Sequence, residues 1–287
     1  MLQAIVGVLR VRRVTSRLND CAHLLIVIRA FLVLTIAGCS APQQSVEIPF
    51  KLNFGGRPLS CDGNGAALSL TDFRFYVHDV RLVNAGGEEF AVTLAEDPLW
   101  QNTEVALLDL ENGSSGCTNG TEQRNDVVRG HAPAAEYVGL TFRLGVPEHL
   151  NHADPLQARA PLNYSFMHWH WRTGYKFLRA GVATADDGFW IHLGSSRCEG
   201  TASNVTGCRS GNRPSVNLAG FSPGRDVVEM DLRELVRGID LSDGRRSDCS
   251  SGPAEYECKT AFEALGLSPA TGEAVASPLV FRVGVRQ

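Results

Sequence analysis

The stretch FRFYVHDVRLVNAGG, residues 73–87, indicates that this chain folds from β-strands. Apolar and polar side chains largely alternate from Phe73 to Val83, which is typical of a strand that buries one face. Gly86 and Gly87 then supply a turn, and the segment EEFAVTL (88–94) continues as a second strand-like run. The sequence therefore predicts a β-hairpin here.

Similar runs recur along the chain at intervals of about 8–12 residues, with turn-forming residues between them, as in sandwiches and barrels. We expect strands in segments 46–54, 104–113, 136–147, 163–183, 187–195, 215–221, 226–232 and 277–285. DLRELVRGI (231–239) and KTAFEALGL (259–267) are typical of short helices. We predict an all-β fold: an antiparallel β-sandwich or barrel with Greek-key-like connections, long disulfide-pinned loops and one or two short helices.

Composition limits the function classes. The 287 residues carry a net charge of -4, and no basic run follows the first 30 residues, which argues against a nucleic-acid binder. The 44% of hydrophobic residues is enough to build a buried core.

The N-terminus is typical of an export signal. Its apolar run, AFLVLTIAGCS (30–40), is too short for a comfortable membrane span and ends in Ile-Ala-Gly-Cys39, which resembles a bacterial lipobox. An ordinary secretory signal is the alternative. We expect a lipidated Cys39 at the periplasmic face of the outer membrane or at the cell surface. The expected divisions are a lipoprotein signal peptide (1–38), the lipidated cysteine with a tether (39–48) and a single β domain (49–287).

Six cysteines remain once Cys21 and Cys39 are set aside. They are Cys61, Cys117, Cys198, Cys208, Cys249 and Cys258. An even number in an exported protein predicts three disulfides, although many pairings are open. Short spacings favour Cys198–Cys208 and Cys249–Cys258, which leaves Cys61–Cys117. A thiolate metal site is the competing interpretation; the chain has no CxxC motif, and an oxidising compartment disfavours it.

Histidines from separate segments form a possible ligand set. His78 lies in a predicted strand, His152 follows a proline-bounded turn, and His192 lies in another predicted strand. Three imidazoles without a thiolate motif suit copper or zinc, and neutral imidazole binds such ions near neutral pH. Taken singly, each is also compatible with an ordinary polar residue of a strand.

The segment SFMHWHWRTGYKF (165–177) alternates histidine and tryptophan. In a strand, His168 and His170 share one face, and Trp169 and Trp171 share the other. Either the histidines chelate a metal while the indoles pack elsewhere, or the indoles face the site. Indoles that simply fill the core are the third option.

Five blocks, in order, resemble a known family. They are FRFYVHDVRL (73–82), VALLDLENGSSGC (105–117), FRLGVPEHLNHADPLQARAPLN (142–163), MHWHWRTGYKFLR (167–179) and HLGSSRC (192–198). Together they resemble the MbnP-like family, also called the metallo-mystery-pair four-Cys-motif proteins, from about Phe50 to the C-terminus. The resemblance implies an exported copper-binding protein whose dihaem cytochrome c peroxidase-like partner oxidises a tryptophan to kynurenine at or near the copper.

The resemblance also suggests roles for individual residues. His78, His152 and His192 fall in matching blocks and are the first-rank copper ligands. Trp169 and Trp171 fall in the W-x-W segment and are the candidates for oxidation, which favours indoles turned towards the site. His168 and His170 are further candidate ligands, at positions where the family often has other residues.

We therefore expect a lipid-anchored copper-binding protein that is not an enzyme. A mononuclear copper enzyme using the same histidines is one alternative, but no catalytic triad, nucleophile elbow or paired catalytic carboxylate stands out. A metal-free surface lipoprotein that acts as a binding module is the other. Asp109, Glu111 and Asn112 precede a glycine turn; turn capping is favoured there over Ca²⁺ binding because the EF-hand spacing is missing.

Overall fold

A computed structural model describes residues 41–63, 68–185, 188–201, 204–240, 248–252 and 256–286. The expected signal peptide and the expected lipid anchor at Cys39 lie outside the described residues. Among the described helices, none is long and apolar enough to cross a membrane.

The described residues form sixteen strands and two α-helices, with short 3-10 turns at Glu148–Leu150 and Ser165–Met167. The strands are β1 (Gln43–Phe54), β2 (Arg57–Pro58), β3 (Ser69–Asn84), β4 (Glu89–Ala91), β5 (Thr93–Leu94), β6 (Val105–Asp109), β7 (Val127–Pro133), β8 (Tyr137–Leu144), β9 (His168–His170), β10 (Gly174–Ala183), β11 (Gly188–Gly194), β12 (Ser196–Thr201), β13 (Asn204–Ser210), β14 (Ser215–Ala219), β15 (Asp226–Asp231) and β16 (Phe281–Val285). The helices are α1 (Leu232–Leu235) and α2 (Tyr256–Ala264).

Two sheets and a separate hairpin organise these strands. One sheet has the order β16-β15-β1-β7-β5, with β2 on β1, and the other has the order β11-β10-β3-β8-β14, with β4 and β6 on β3 and β9 on β10. Strands β12 and β13 pair with each other. The named strands pair antiparallel except β1 with β15, and an isolated parallel bridge joins Ile191 of β11 to Cys249. The predicted all-β, sandwich-like architecture is confirmed.

Aromatic rings from both sheets meet in the core. Phe50 of β1 lies 5.6 Å from Phe75 of β3, ring centre to ring centre, and Phe281 of β16 lies 5.5 Å from Phe142 of β8. Edge-to-face pairs of this kind stabilise a core beyond the burial of their area. Because side chains alternate along a strand, Phe75 fixes the opposite face of β3 as the one that carries Arg74 and Tyr76.

That opposite face of β3 is also covered. The Tyr76 hydroxyl donates to the carbonyl of Pro161 at 2.9 Å, and the Phe166 ring lies 4.5 Å from the Arg74 guanidinium. The segment between β8 and β10 therefore forms an additional layer over the sheet. An alternating pattern predicts one solvated face, but here the first sheet buries one face of β3 and the covering segment buries the other.

The predicted three disulfides are confirmed with the favoured pairing: Cys61–Cys117, Cys198–Cys208 and Cys249–Cys258. Both predicted helices are present, although α1 is only four residues long. Strand β1 begins at Gln43, so residues 43–48, expected to belong to the tether, instead pair with β7.

Candidate metal centre

Strand register places His192 on the outer surface of the second sheet that the segment between β8 and β10 covers. Arg74 of β3 lies opposite Arg179 of β10, which in turn lies opposite His192 of β11. Directly paired residues of neighbouring strands point to the same side of a sheet. His192 is therefore on the covered face, beside Trp190, which is two residues earlier on the same strand.

His192 is a neutral imidazole, and one of its ring nitrogens makes no hydrogen bond in the described part of the chain. Its Nε2 is buried and has no hydrogen-bond partner among the described residues. Burial lowers the pKa of His192 to about 4, and the charges of Arg179 and Lys176 act in the same direction. The ring is therefore neutral near pH 7, and a neutral imidazole nitrogen without a hydrogen-bond partner is the kind of group that a metal ion binds.

Trp169 packs directly against this imidazole. The ring centres of Trp169 and His192 are 6.1 Å apart, and the indole also covers Gly194, where an added Cβ would lie 2.6 Å from the indole Cζ3. The Lys176 ammonium is 5.8 Å from the indole centre and donates at 2.9 Å to the carbonyl of Phe166. This contact helps to hold the chain leading to Trp169 against the sheet.

His168 lies next to Trp169 and packs on the other side of the hairpin. Its ring is 5.0 Å from that of Tyr175, and its Nε2 is a second buried imidazole nitrogen without a hydrogen-bond partner in the part of the chain described. Burial lowers the pKa of His168; the nearby Asp154 opposes the shift, and His170, Lys176 and His152 add to it.

His152 is held by its backbone surroundings. Its Nδ1 lies 2.8 Å from the carbonyl of Trp171, so Nδ1 carries the proton and Nε2 is left as an acceptor. Nε2 lies 3.2 Å from the Asn151 side-chain amide and 3.3 Å from Sγ of Cys208.

The alternation of histidine and tryptophan stops sooner than one long strand would allow. Strand β9 ends at His170, and the pairing with β10 shifts register between Gly174 and Tyr175. His170 is exposed and lies beside Trp171, whose ring stacks near the Arg172 guanidinium at 5.0 Å. Thus Trp169 is turned towards His192, whereas Trp171 belongs to the outer turn.

His78 lies apart from this group in the described contacts. Its Nδ1 is 2.8 Å from the carbonyl of Gly145, and it lines a cavity of about 250 Å³ together with Glu104 and Pro147. Burial lowers the pKa of His78 to about 4. In the described part of the chain, the only clusters of three ligand-type side chains contain His152 with Cys198 and Cys208, or Glu111 with Cys61 and Cys117.

An ion network under the same layer was missed by the sequence reasoning. Arg74 pairs with Asp109 at 3.0 Å and with Glu111, and Arg179 pairs with Asp72 at 2.7 Å. Burial raises the pKa of Asp109 to about 7 despite the attraction of Arg74. Asp109 and Glu111, which could have suggested a Ca²⁺ site, are therefore paired with arginine. These ion pairs add to the capping role that the sequence predicts for this turn. A charged residue in a strand gives no sequence signal of such burial.

The arrangement suits a soft or borderline metal ion. His192 and His168 each offer a buried nitrogen without a hydrogen-bond partner among the described residues. The described contacts do not join these two rings, and the oxidisable indole of Trp169 packs on His192. Copper and zinc accept imidazole nitrogen, so the residues present fit the predicted ion.

Comparison with known proteins agrees with the fold. The sequence matches the MbnP family over residues 43–251. The structure is similar to that of MbnP from Methylosinus trichosporium, with a TM-score of 0.74, 27% sequence identity, and coverage of 86% of this chain and 100% of that one. No curated protein matches the sequence.

Proposed function

The chain belongs to the MbnP family, and from that premise we propose that it is an exported copper-binding protein, anchored through lipid on Cys39 at the periplasmic face of the outer membrane or at the cell surface. The proposed role is metal binding, and no turnover is assigned to the site.

One observation carries the proposal: the buried, unpartnered Nε2 of His192 beside the Trp169 ring. A buried imidazole nitrogen that makes no hydrogen bond costs free energy, and a metal ion would repay that cost. His168 offers a second such nitrogen, and His152 remains a predicted ligand. Bound copper would be held as Cu(I) or Cu(II) by these imidazoles. His170 and His78 remain predicted ligands.

We assign the modified residue as Trp169 because its ring packs on His192, whereas Trp171 lies in the outer turn. Conversion to kynurenine breaks the indole C2–C3 bond and inserts two oxygen atoms; water then releases C2 as formate. With hydrogen peroxide as the oxidant, two peroxides are each reduced to water. The product has an arylamine and a ketone in place of an indole N–H, which adds donor atoms near the imidazoles.

The partner that fits this chemistry is a dihaem cytochrome c peroxidase-like protein, because its cofactor provides the oxidising power that no side chain of this protein has. The indole is only partly buried, so electron transfer to a docked haem partner requires no unfolding of this chain.

Metal analysis of purified variants tests the ligand assignment. H192A and H168A should each weaken copper binding by at least about tenfold, since even outer partners of ligands contribute that much. H131A, at an exposed position of β7, is the matched control and should bind copper as the wild type does. Full copper affinity in both H192A and H168A would overturn the assignment.

Peptide mapping after co-expression with the dihaem partner tests the modification. We expect the peptide containing residues 165–179 to lose one carbon and gain one oxygen at Trp169, and W169F to abolish this change while W171F retains it. Modification confined to Trp171 would contradict the choice of indole. An unmodified wild-type peptide beside an active partner would contradict maturation itself.

A further inference from the structure

The disulfide Cys198–Cys208 joins two neighbouring strands next to a histidine. The cysteines lie directly opposite each other on β12 and β13, and His152 reaches them from the segment that follows β8. The two sulfurs and one imidazole nitrogen all lie within 4.8 Å of one another. Two thiolates and an imidazole at such spacing would be a metal-ligand set if the disulfide were open.

His152 already has the orientation of a metal ligand. Its Nδ1–H donates to the Trp171 carbonyl at 2.8 Å, which leaves the Nε2 lone pair directed at Cys208 Sγ, 3.3 Å away. A backbone acceptor on the far ring nitrogen is the usual support of a metal-bound histidine. The Asn151 amide, 3.2 Å from Nε2, is the contact that a metal would displace.

This disulfide is the accessible one of the three. Cys198 and Cys208 are only half-buried. By contrast, Cys117 and Cys249 have no exposed surface, and their partners Cys61 and Cys258 are each 3% exposed. Because thiol–disulfide exchange requires a thiolate to reach a sulfur atom, a reductant would reach Cys198–Cys208 first.

The strands around the disulfide remain tied together without it. Ser196 pairs with Ser210 on one side, and the Thr206 hydroxyl donates to the Glu199 carbonyl at 3.2 Å on the other. Opening the bond would therefore leave two thiols facing each other across a hairpin. Tetrahedral metal–thiolate bonds of about 2.3 Å require the sulfurs to separate to only roughly 4 Å.

We propose that Cys198, Cys208 and His152 form a redox-gated metal site, which is closed as a disulfide and, when reduced by a dithiol, binds a thiophilic cation such as Cu(I) or Zn²⁺. The dithiol gives two electrons and two protons and becomes a disulfide, the Cys198–Cys208 bond breaks, and the two thiols release their protons when the metal binds. Two thiolates and one imidazole suit three-coordinate Cu(I), or Zn²⁺ with water as the fourth ligand. This site goes beyond the proposed copper function, although His152 belongs to both.

Selective reduction of the full mature chain tests whether opening the Cys198–Cys208 disulfide creates the metal site. Under anaerobic conditions with graded dithiothreitol, alkylation and peptide mapping should find Cys198 and Cys208 labelled before the other four disulfide cysteines. After the dithiol is removed, Co²⁺ should bind with one ion per chain and give thiolate-to-metal charge-transfer bands, and Zn²⁺ and Cu(I) should displace it. The oxidised protein should give no such bands.

Variants separate this site from the proposed copper centre. The double variant C198S/C208S should lose the cobalt bands while the copper content of the oxidised protein stays unchanged. H152A should weaken Zn²⁺ binding by at least about tenfold, whereas H149A, an exposed histidine of the same segment, should leave it unchanged. Bands that persist in C198S/C208S, or are missing from reduced wild type, would overturn the proposal. Loss of copper from oxidised H192A alone would bear only on the copper centre.

Discussion

Arg74 has no solvent-exposed surface, yet it carries a full charge in the middle of β3. Asp109 and Glu111 accept its guanidinium hydrogen bonds, and Phe166 lies across it at 4.5 Å. Glu111 also accepts from the backbone N–H groups of Gly113 at 2.7 Å and Thr121 at 3.0 Å. Through Asp109 and Glu111, Arg74 thus links the sheet to the loop that follows β6, on the face that carries the candidate site.

Replacing Arg74 by methionine should destabilise the protein severely. R74M leaves the carboxylates of Asp109 and Glu111 buried without their cation, which typically costs about 3–5 kcal/mol. Urea unfolding followed by far-UV circular dichroism measures the loss. R81M is the control, because Arg81 forms an exposed ion pair with Asp79, and such pairs contribute about 0–1 kcal/mol. Equal losses in the two variants would contradict a stabilising role for the buried network.

At the scale of elements, the β9–β10 hairpin and the edge strand β11 together create the contact between Trp169 and His192. Gly194, at the end of β11, makes room for the indole: an added Cβ would lie 2.6 Å from the Trp169 ring and 2.7 Å from the Tyr175 carbonyl. The site therefore depends on close approach of backbone and ring as much as on its ligands.

G194A should disturb this contact. The added methyl group has to push the indole or strand β10 away, and overpacking of this kind costs about 1–3 kcal/mol. We expect a lower urea midpoint, altered tryptophan fluorescence and weaker copper binding. G211A is the matched control, since its Cβ would meet only Arg213 Nη1, at 3.4 Å. Unchanged fluorescence in G194A would show that Trp169 does not lie against this glycine.

At the scale of the whole molecule, the described residues contain three disulfides, in a fold whose long loops cover one sheet. Cys61–Cys117 closes a segment of 56 residues, whereas Cys198–Cys208 closes one of 10. In the loop-entropy account, the longer closure restricts the unfolded chain more.

The two bridges should therefore contribute unequally to stability. C61A/C117A should lower the free energy of unfolding by about 4 kcal/mol and C198S/C208S by about 3 kcal/mol or less, with the difference enlarged by the cavity that buried Cys117 leaves. Urea titration of both variants measures the values. A larger loss in C198S/C208S would mean that the hairpin disulfide is structural, which would also weaken the case for a redox gate.

The sequence by itself determined the fold class, both helices and the family resemblance, and its short spacings favoured the cysteine pairing that the structure then showed. These depend on local periodicity, turn chemistry, short cysteine spacings and contiguous motifs, and all of these signals come from residues that are close together in the sequence. Trp169 and Trp171 looked equivalent at that level because both fit one alternating strand. Only the tertiary structure separated them, since β9 ends at His170. It also decided that Arg74 is buried, that His78 lies apart from His192, and that His152 faces a disulfide. Each of these depends on contacts between segments distant in sequence, and burial by a covering loop leaves no periodic signal in the strand that it covers.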